Sequence, residues 1–160
     1  MGLFSVRRKV SAADYWRLRL AAILCAEPLD ELARDAPPPI AEALAAADRD
    51  LATRELRAVC VCLASIAIAK LWPRRLALSA TLTHAAIMNK ECPDLAELES
   101  VYSSAFGSSF TDGVAPMAAL FVHRAFPAGT SPALTEFYYD AFYEQLKARC
   151  QDWETMRLVE

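Results

Sequence analysis

The sequence predicts an all-α protein, a single-domain helical bundle of about six to seven helices around a buried central hairpin, and three observations lead there. Glycine is scarce, with none between Gly2 and Gly107, while alanine is abundant. That composition favours helix and opposes hairpin-rich sheet. No stretch alternates apolar and polar residues for long enough to specify a strand. The third observation is the run from Ala58 to Ala69, in which Ser65 is the only polar side chain. A surface helix carries a charged back opposite its apolar stripe, and this segment has none. It is also short of the roughly 20 residues that cross a bilayer, and the charged residues Asp48, Arg49, Asp50, Arg54, Glu55 and Arg57 stop it from extending upstream. A buried central helix is the expectation.

A chain of 160 residues fits one domain. Residues 1–10 read as a flexible basic tail and 11–160 as the helical domain. The tail lacks the apolar centre of a signal peptide. Its Gly2 suggests N-terminal acylation, but Val6 stands where that pattern wants Ser or Thr. Arg7, Arg8 and Lys9 are the feature that points to peripheral contact with a membrane, and no membrane span is expected. A net charge of −3 speaks against nucleic acid as a partner, because such binding rests on a basic face that neutralises phosphates. Five scattered cysteines, an odd number, read as reduced thiols in a cytoplasmic protein.

The elements follow in order. Ser11 with Asp14 resembles a capping box and opens a first helix with Trp16, Leu20, Ile23 and Leu24 on one side. Pro28 ends or kinks it and begins a short second helix, Leu29 to Asp35. Pro37, Pro38 and Pro39 form a rigid connector into a third helix through Ile40, Leu44, Ala47 and Leu51. The stripe then resumes out of phase at Leu56, Val59, Leu63 and Ile66, so a break is expected near Asp48–Asp50, with Asp50 as cap of the central helix. After Pro73 comes Arg74 to Lys90, which reads as buried nearly all round and as the second arm of the hairpin. Pro93 and Asp94 start a helix carrying Leu95, Leu98, Val101, Tyr102 and Ala105. Gly107 to Gly113 is the glycine-bounded loop, and Val114 to Phe126 a short helix. Ser131 and Pro132 open a long amphipathic last helix that runs on to Trp153 and Met156 before fraying.

Catalytic and metal-binding motifs are missing. Neither His84 nor His123 has a ligand partner at helical spacing, and no Glu-x-x-His pair occurs; no cofactor is expected. Gly107 to Thr111 begins like a nucleophile elbow without its closing glycine, and Gly107 to Gly113 is too long for a phosphate loop, with Val114 in place of the lysine. Phe110 to Val114 resembles the start of the first homology motif of apoptosis-regulating helical bundles, and Tyr139 to Phe142 faintly resembles the second. The motif's Asn-Trp-Gly-Arg continuation is replaced here by Ala115 to Ala118, and the gap between the strings is short; membership does not follow.

The remaining candidates are polar residues on apolar faces. On the helix Arg74 to Lys90, the mildly polar wedge of Ala77, Thr81, His84 and Met88 stands between two aliphatic faces. Thr81, His84, Met88 and His123 are therefore the candidate ligand or interface residues. The bland reading of each histidine is one that reaches solvent or a backbone carbonyl. The function this supports is non-enzymatic: a cytosolic interaction or regulatory protein that works through a helical face as a homodimer, with another protein as a further partner. The alternative is a sensor or carrier that holds a small apolar ligand between helices near His84.

Overall fold

Eight helices and one pair of short strands make up the described part of the chain in the computed structural model, which covers residues 8–26, 28–109, 112–127 and 129–159. The order is β1 (Arg8–Ser11), α1 (Ala12–Cys25), α2 (Pro28–Arg34), α3 (Pro38–Ala46), α4 (Arg49–Leu71), α5 (Arg74–Glu91), α6 (Pro93–Phe106), α7 (Val114–Ala125), α8 (Pro132–Thr155) and β2 (Met156–Val159). The all-α class read from composition is the observed one.

Local chemistry explains most boundaries. The Ser11 hydroxyl accepts from the Asp14 amide and donates to its carboxylate, closing the first turn of α1. Pro38 and Pro39 occupy the first turn of α3, where a missing amide costs no helical hydrogen bond. The chain does break before the central helix, but the cap is Asp48, two residues ahead of the expected Asp50. Its carboxylate accepts from the amides of Asp50 and Leu51, while Asp50 lies in the first turn and complements the helix dipole. Ser131 caps α8 through the Leu134 amide. Gly107 closes α6 at φ +65° and ψ −147°, a conformation that side chains avoid.

α4 is the axis. It packs against α1, α2, α5, α6, α7 and α8, and ten of its residues from Ala52 to Ile68, including Val59, Leu63 and Ala67, are buried apolar positions. Alanines and Cys62 along it let six neighbours approach closely, which is what a helix without a charged back requires. One continuous apolar cluster runs from Val10 through α4 to Leu146. Tyr102, Phe121, Tyr138 and Phe142 are among its largest fully buried side chains.

The second arm of the expected hairpin behaves differently from α4. α5 buries Ala77, Ala80, His84, Ile87 and Met88 against α1, α4 and α6. Its other face, Leu78, Leu82, Ala85 and Ala86, is exposed. The sequence expectation of burial all round therefore holds for one face only. The physical reason is that α4 already takes contacts on every side, so α5 lies beside it at the edge of the bundle.

The strands are the other departure. β1 and β2 run parallel, with Arg8 opposite Met156 and Ser11 opposite Val159. Four residues at each end are too few to print an alternating pattern, so the pairing was invisible to a periodicity reading. Met156, expected in the last helix, lies in β2. The possible contact of Arg7, Arg8 and Lys9 with a membrane concerns side chains outside the described residues. Among the described residues no helix is long and apolar enough to cross a membrane.

Candidate functional site

Two buried polar clusters and one exposed apolar face stand out. The first cluster centres on Glu55 of α4, whose side chain is 1% exposed. Position 55 falls on the same face as Ala52, Val59 and Cys62, so the helix carries its carboxylate into the core. Arg124 of α7 meets it in a fork, Nε to Oε2 and Nη2 to Oε1, both at 2.9 Å. The Tyr102 hydroxyl of α6 donates to Oε2 at 2.7 Å. Burial alone pushes the Glu55 carboxyl up, but the hydrogen bonds and charge of Arg124, with the Tyr102 bond, outweigh it and hold the group below its ordinary value. The same carboxylate adds to burial in raising the Tyr102 phenol. Among the described residues, the Glu55 partners Arg124, Tyr102 and Arg54 are cations or hydrogen-bond donors. The arrangement ties three helices together.

The second cluster is where the sequence placed its leading candidate. His84 is buried, with Nε2 at 2.7 and 2.8 Å from the two oxygens of Glu99 on α6. The Trp16 ring of α1 lies over the imidazole at 4.0 Å between centroids, and its indole nitrogen donates to the Ala80 carbonyl. Nδ1 of His84 is buried without a hydrogen-bond partner. A histidine held by a carboxylate has the outline of a catalytic pair, but its free nitrogen engages no hydroxyl or thiol. The pair joins α5 to α6, and Trp16 joins α1 to α5.

The four residues singled out from the sequence do not converge. His84 and Met88 are buried together on the inner face of α5. Thr81 is exposed and returns its hydroxyl to the Ala77 carbonyl of its own helix. His123 is exposed on α7, which packs on α4, α6 and α8. Among the described residues no group of three or more His, Cys, Asp and Glu could hold a metal.

Glu55, Arg124 and Glu99 were not anticipated. For Glu55 the signal was present: a carboxylate at 3-4-3 spacing with Ala52, Val59 and Cys62 lies inside the apolar stripe. For Glu99 and Arg124, partners 15 and 69 residues away in sequence, no local pattern could have named them.

The exposed face belongs to α5. Leu78 and Leu82, one turn apart, are 62% and 64% exposed, and Ala85 and Ala86 continue the strip. The polar clefts lie elsewhere. One of about 550 Å³ opens between the start of α4 and the α5–α6 junction, lined by Arg49, Arg54, Arg57, Glu91 and Asp94. Another lies between α1, α2, α4 and α8. No family model, curated protein or solved structure matches the chain.

Proposed function

We propose that this chain is a non-enzymatic, cytosolic interaction protein that pairs with a second copy of itself through the outer face of α5. The observation that carries the reading is the Leu78–Leu82 strip on a helix whose inner face is already fully committed. Single exposed leucines are ordinary, whereas two on one helix face followed by two alanines form a contiguous apolar surface. The strip is also self-complementary. A two-fold axis at Leu82 sets Leu78 of one copy against Ala86 of the other, a large side chain into a small one, with the two Leu82 side chains meeting at the axis. Five free cysteines agree with a reducing compartment.

One pair of helices buries less than the roughly 1,200 Å² of a standard stable interface, so association should be concentration-dependent. Sedimentation equilibrium of the full chain, from low to high micromolar, is expected to reveal a monomer–dimer transition. Leu82→Glu, which changes an exposed residue and leaves the core alone, should abolish it with an unchanged melting temperature. A wild-type chain that stays monomeric throughout, or a Leu82→Glu variant that dimerises equally, defeats the proposal.

A further inference from the structure

Between the end of α3 and the α7–α8 turn lies a groove of about 280 Å³ that shares no residue with the α5 strip. Its walls follow from the sequence. α3 turns its two large apolar residues, Ile40 and Leu44, into the core, so on this side it offers alanines, Ala43 and Ala46 among them. Ala125 and Phe126 at the end of α7 form the other side with Pro127, which turns the chain away before α8 begins. Small side chains facing a turn leave the space between them unfilled. It falls just under the usual ligand-pocket range of about 300–1,000 Å³, which suits a molecule smaller than a drug.

Among the described residues, one polar side chain lines this groove, the exposed Asp48 at the junction of α3 and α4. Its Oδ1 accepts from the amides of Asp50 and Leu51 at 3.1 and 3.0 Å, so the cap of α4 holds the carboxylate in place. No hydrogen bond from a described residue reaches Oδ2. Arg49 pairs with Asp30 at 2.8 Å and Arg54 lies 3.8 Å from Glu55, and neither lines the groove. Two helices also end here, α3 at Ala46 and α7 at Ala125, and the last carbonyls of a helix carry partial negative charge. The start of α4 has the opposite sign, and Oδ1 answers it. What remains at the groove is a carboxylate oxygen, two helix C-termini and apolar walls.

We infer that this groove binds a small organic cation, a primary ammonium carried on a compact apolar body. The apolar body lies between the alanines of α3 and the end of α7, and the ammonium donates to Asp48 at the rim, a charge-assisted bond. An anion in the same place meets the Asp48 carboxylate and two helix C-termini. A neutral apolar molecule fills the walls and leaves the carboxylate unused, and a small hydrated cation has nothing to bury against them. A molecule with one positive charge on an apolar frame uses both.

Amide chemical-shift titration of the full chain, labelled with nitrogen-15, tests this. The probes are 2-phenylethylammonium, the neutral 2-phenylethanol, the anionic 3-phenylpropanoate and methylammonium, which has the charge without the body. 2-Phenylethylammonium should bind with a dissociation constant in about the millimolar range, as befits so small a ligand, and shift the amides of Ala46, Ala47 and Gly129. Because Asp48 is exposed, 2-phenylethanol should bind about three- to fivefold weaker, the most an exposed ion pair contributes; the other two should not bind. Asn caps a helix as well as Asp does, so Asp48→Asn should keep the melting temperature and lower the ammonium to the level of the alcohol. Ala46→Leu, at an exposed position of α3, fills the space and should weaken ammonium and alcohol alike, a second measure should Asp48→Asn disturb the cap. Absence of saturable shifts up to about 20 mM, weaker than a millimolar site, overturns the inference. So do shifts centred away from the groove, alcohol or 3-phenylpropanoate binding as tightly as the ammonium, or binding indifferent to both substitutions.

Discussion

Arg124→Leu is the substitution that most directly tests how the core tolerates Glu55. In the wild type the carboxylate is 1% exposed and meets a guanidinium fork at 2.9 Å. Removing the cation leaves Glu55 with the Tyr102 hydroxyl and the more distant Arg54, at 3.8 Å. Breaking a buried pair on one side costs about 3–5 kcal/mol. A third of the Arg124 side chain, 34%, is open to solvent, so water can replace part of it, and the low end, about 3 kcal/mol, is the expectation. The pH dependence is sharper than the magnitude. In the wild type the Glu55 carboxyl lies below its ordinary value of 4.5, so its contribution is complete above that pH and is lost as the pH falls through the lowered folded value. In the variant burial dominates and pushes the group up, so the folded state takes the proton more readily than the unfolded one. Its penalty is then greatest at neutral pH and relaxes towards acid. Urea unfolding at about pH 7 and about pH 4 should show the gap between the two proteins narrowing as the pH drops. A cost under about 1 kcal/mol at neutral pH, the value of an ordinary surface ion pair, or a gap that does not change with pH, refutes the account. Glu55→Leu combined with Arg124→Leu should recover part of the loss, because no charge is then left buried.

Two further expectations rest on other contacts. A Cβ on Gly113 would lie 2.5 Å from the Phe106 carbonyl oxygen and 2.7 Å from its ring, so Gly113→Ala should cost about 1–3 kcal/mol through displacement of the α6 end; an unchanged melting temperature would mean the two segments do not meet. Burial raises the Cys60 thiol to about 11 and pushes Cys62 up as well, while Cys25 is exposed. An alkylating reagent near pH 8 should therefore modify Cys25 in the native protein and reach Cys60 and Cys62 only after unfolding, and peptide mass mapping that finds all three modified at equal rates contradicts the placement of α4.

The helices were legible because their signals are local. Proline at a first turn, Ser11 and Ser131 as caps, and the uncharged run of α4 each act within a few residues of where they are written. Asp48 shows the limit of that locality. Asp48 and Asp50 are chemically equivalent as caps, and the choice between them is made by which backbone turns out of the preceding helix, a matter of how α3 meets α4. β1 and β2 lay beyond reach for a related reason: a parallel pair formed by the two ends of the described chain is a contact of very long sequence separation, with no hairpin turn to announce it.

The site was less legible than the fold because its groups are defined by partners rather than by spacing. His84 was found from its place on an apolar helix, but Glu99 gave no sign that it would bind it. Arg57 gave no sign of the Leu24 and Ala26 carbonyls it would meet, since a helix pattern says which way a residue faces without saying what stands opposite. A charged residue on an apolar stripe, as at Glu55, is a sequence feature that carries information about polar groups in the interior.

α5 joins these two kinds of evidence. An exposed leucine strip could in principle be relieved by rolling the helix about its axis, which would bury Leu78 and Leu82 and turn Ala80, His84 and Met88 outward. The inner face forbids this. Such a roll breaks the bond from the Trp16 indole to the Ala80 carbonyl and separates His84 from Glu99, leaving Glu99 without its partner and the Trp16 donor unsatisfied, while Ile87 and Met88 enter water. Each lost polar contact in a buried place costs about 1–3 kcal/mol, so two of them with the apolar exchange exceed what two leucines gain by burial, about 1.5–3 kcal/mol each when complete. The polar pins therefore fix the rotation of α5 and with it the outward direction of the strip. A helix locked in this orientation can remove Leu78 and Leu82 from water only by meeting another surface.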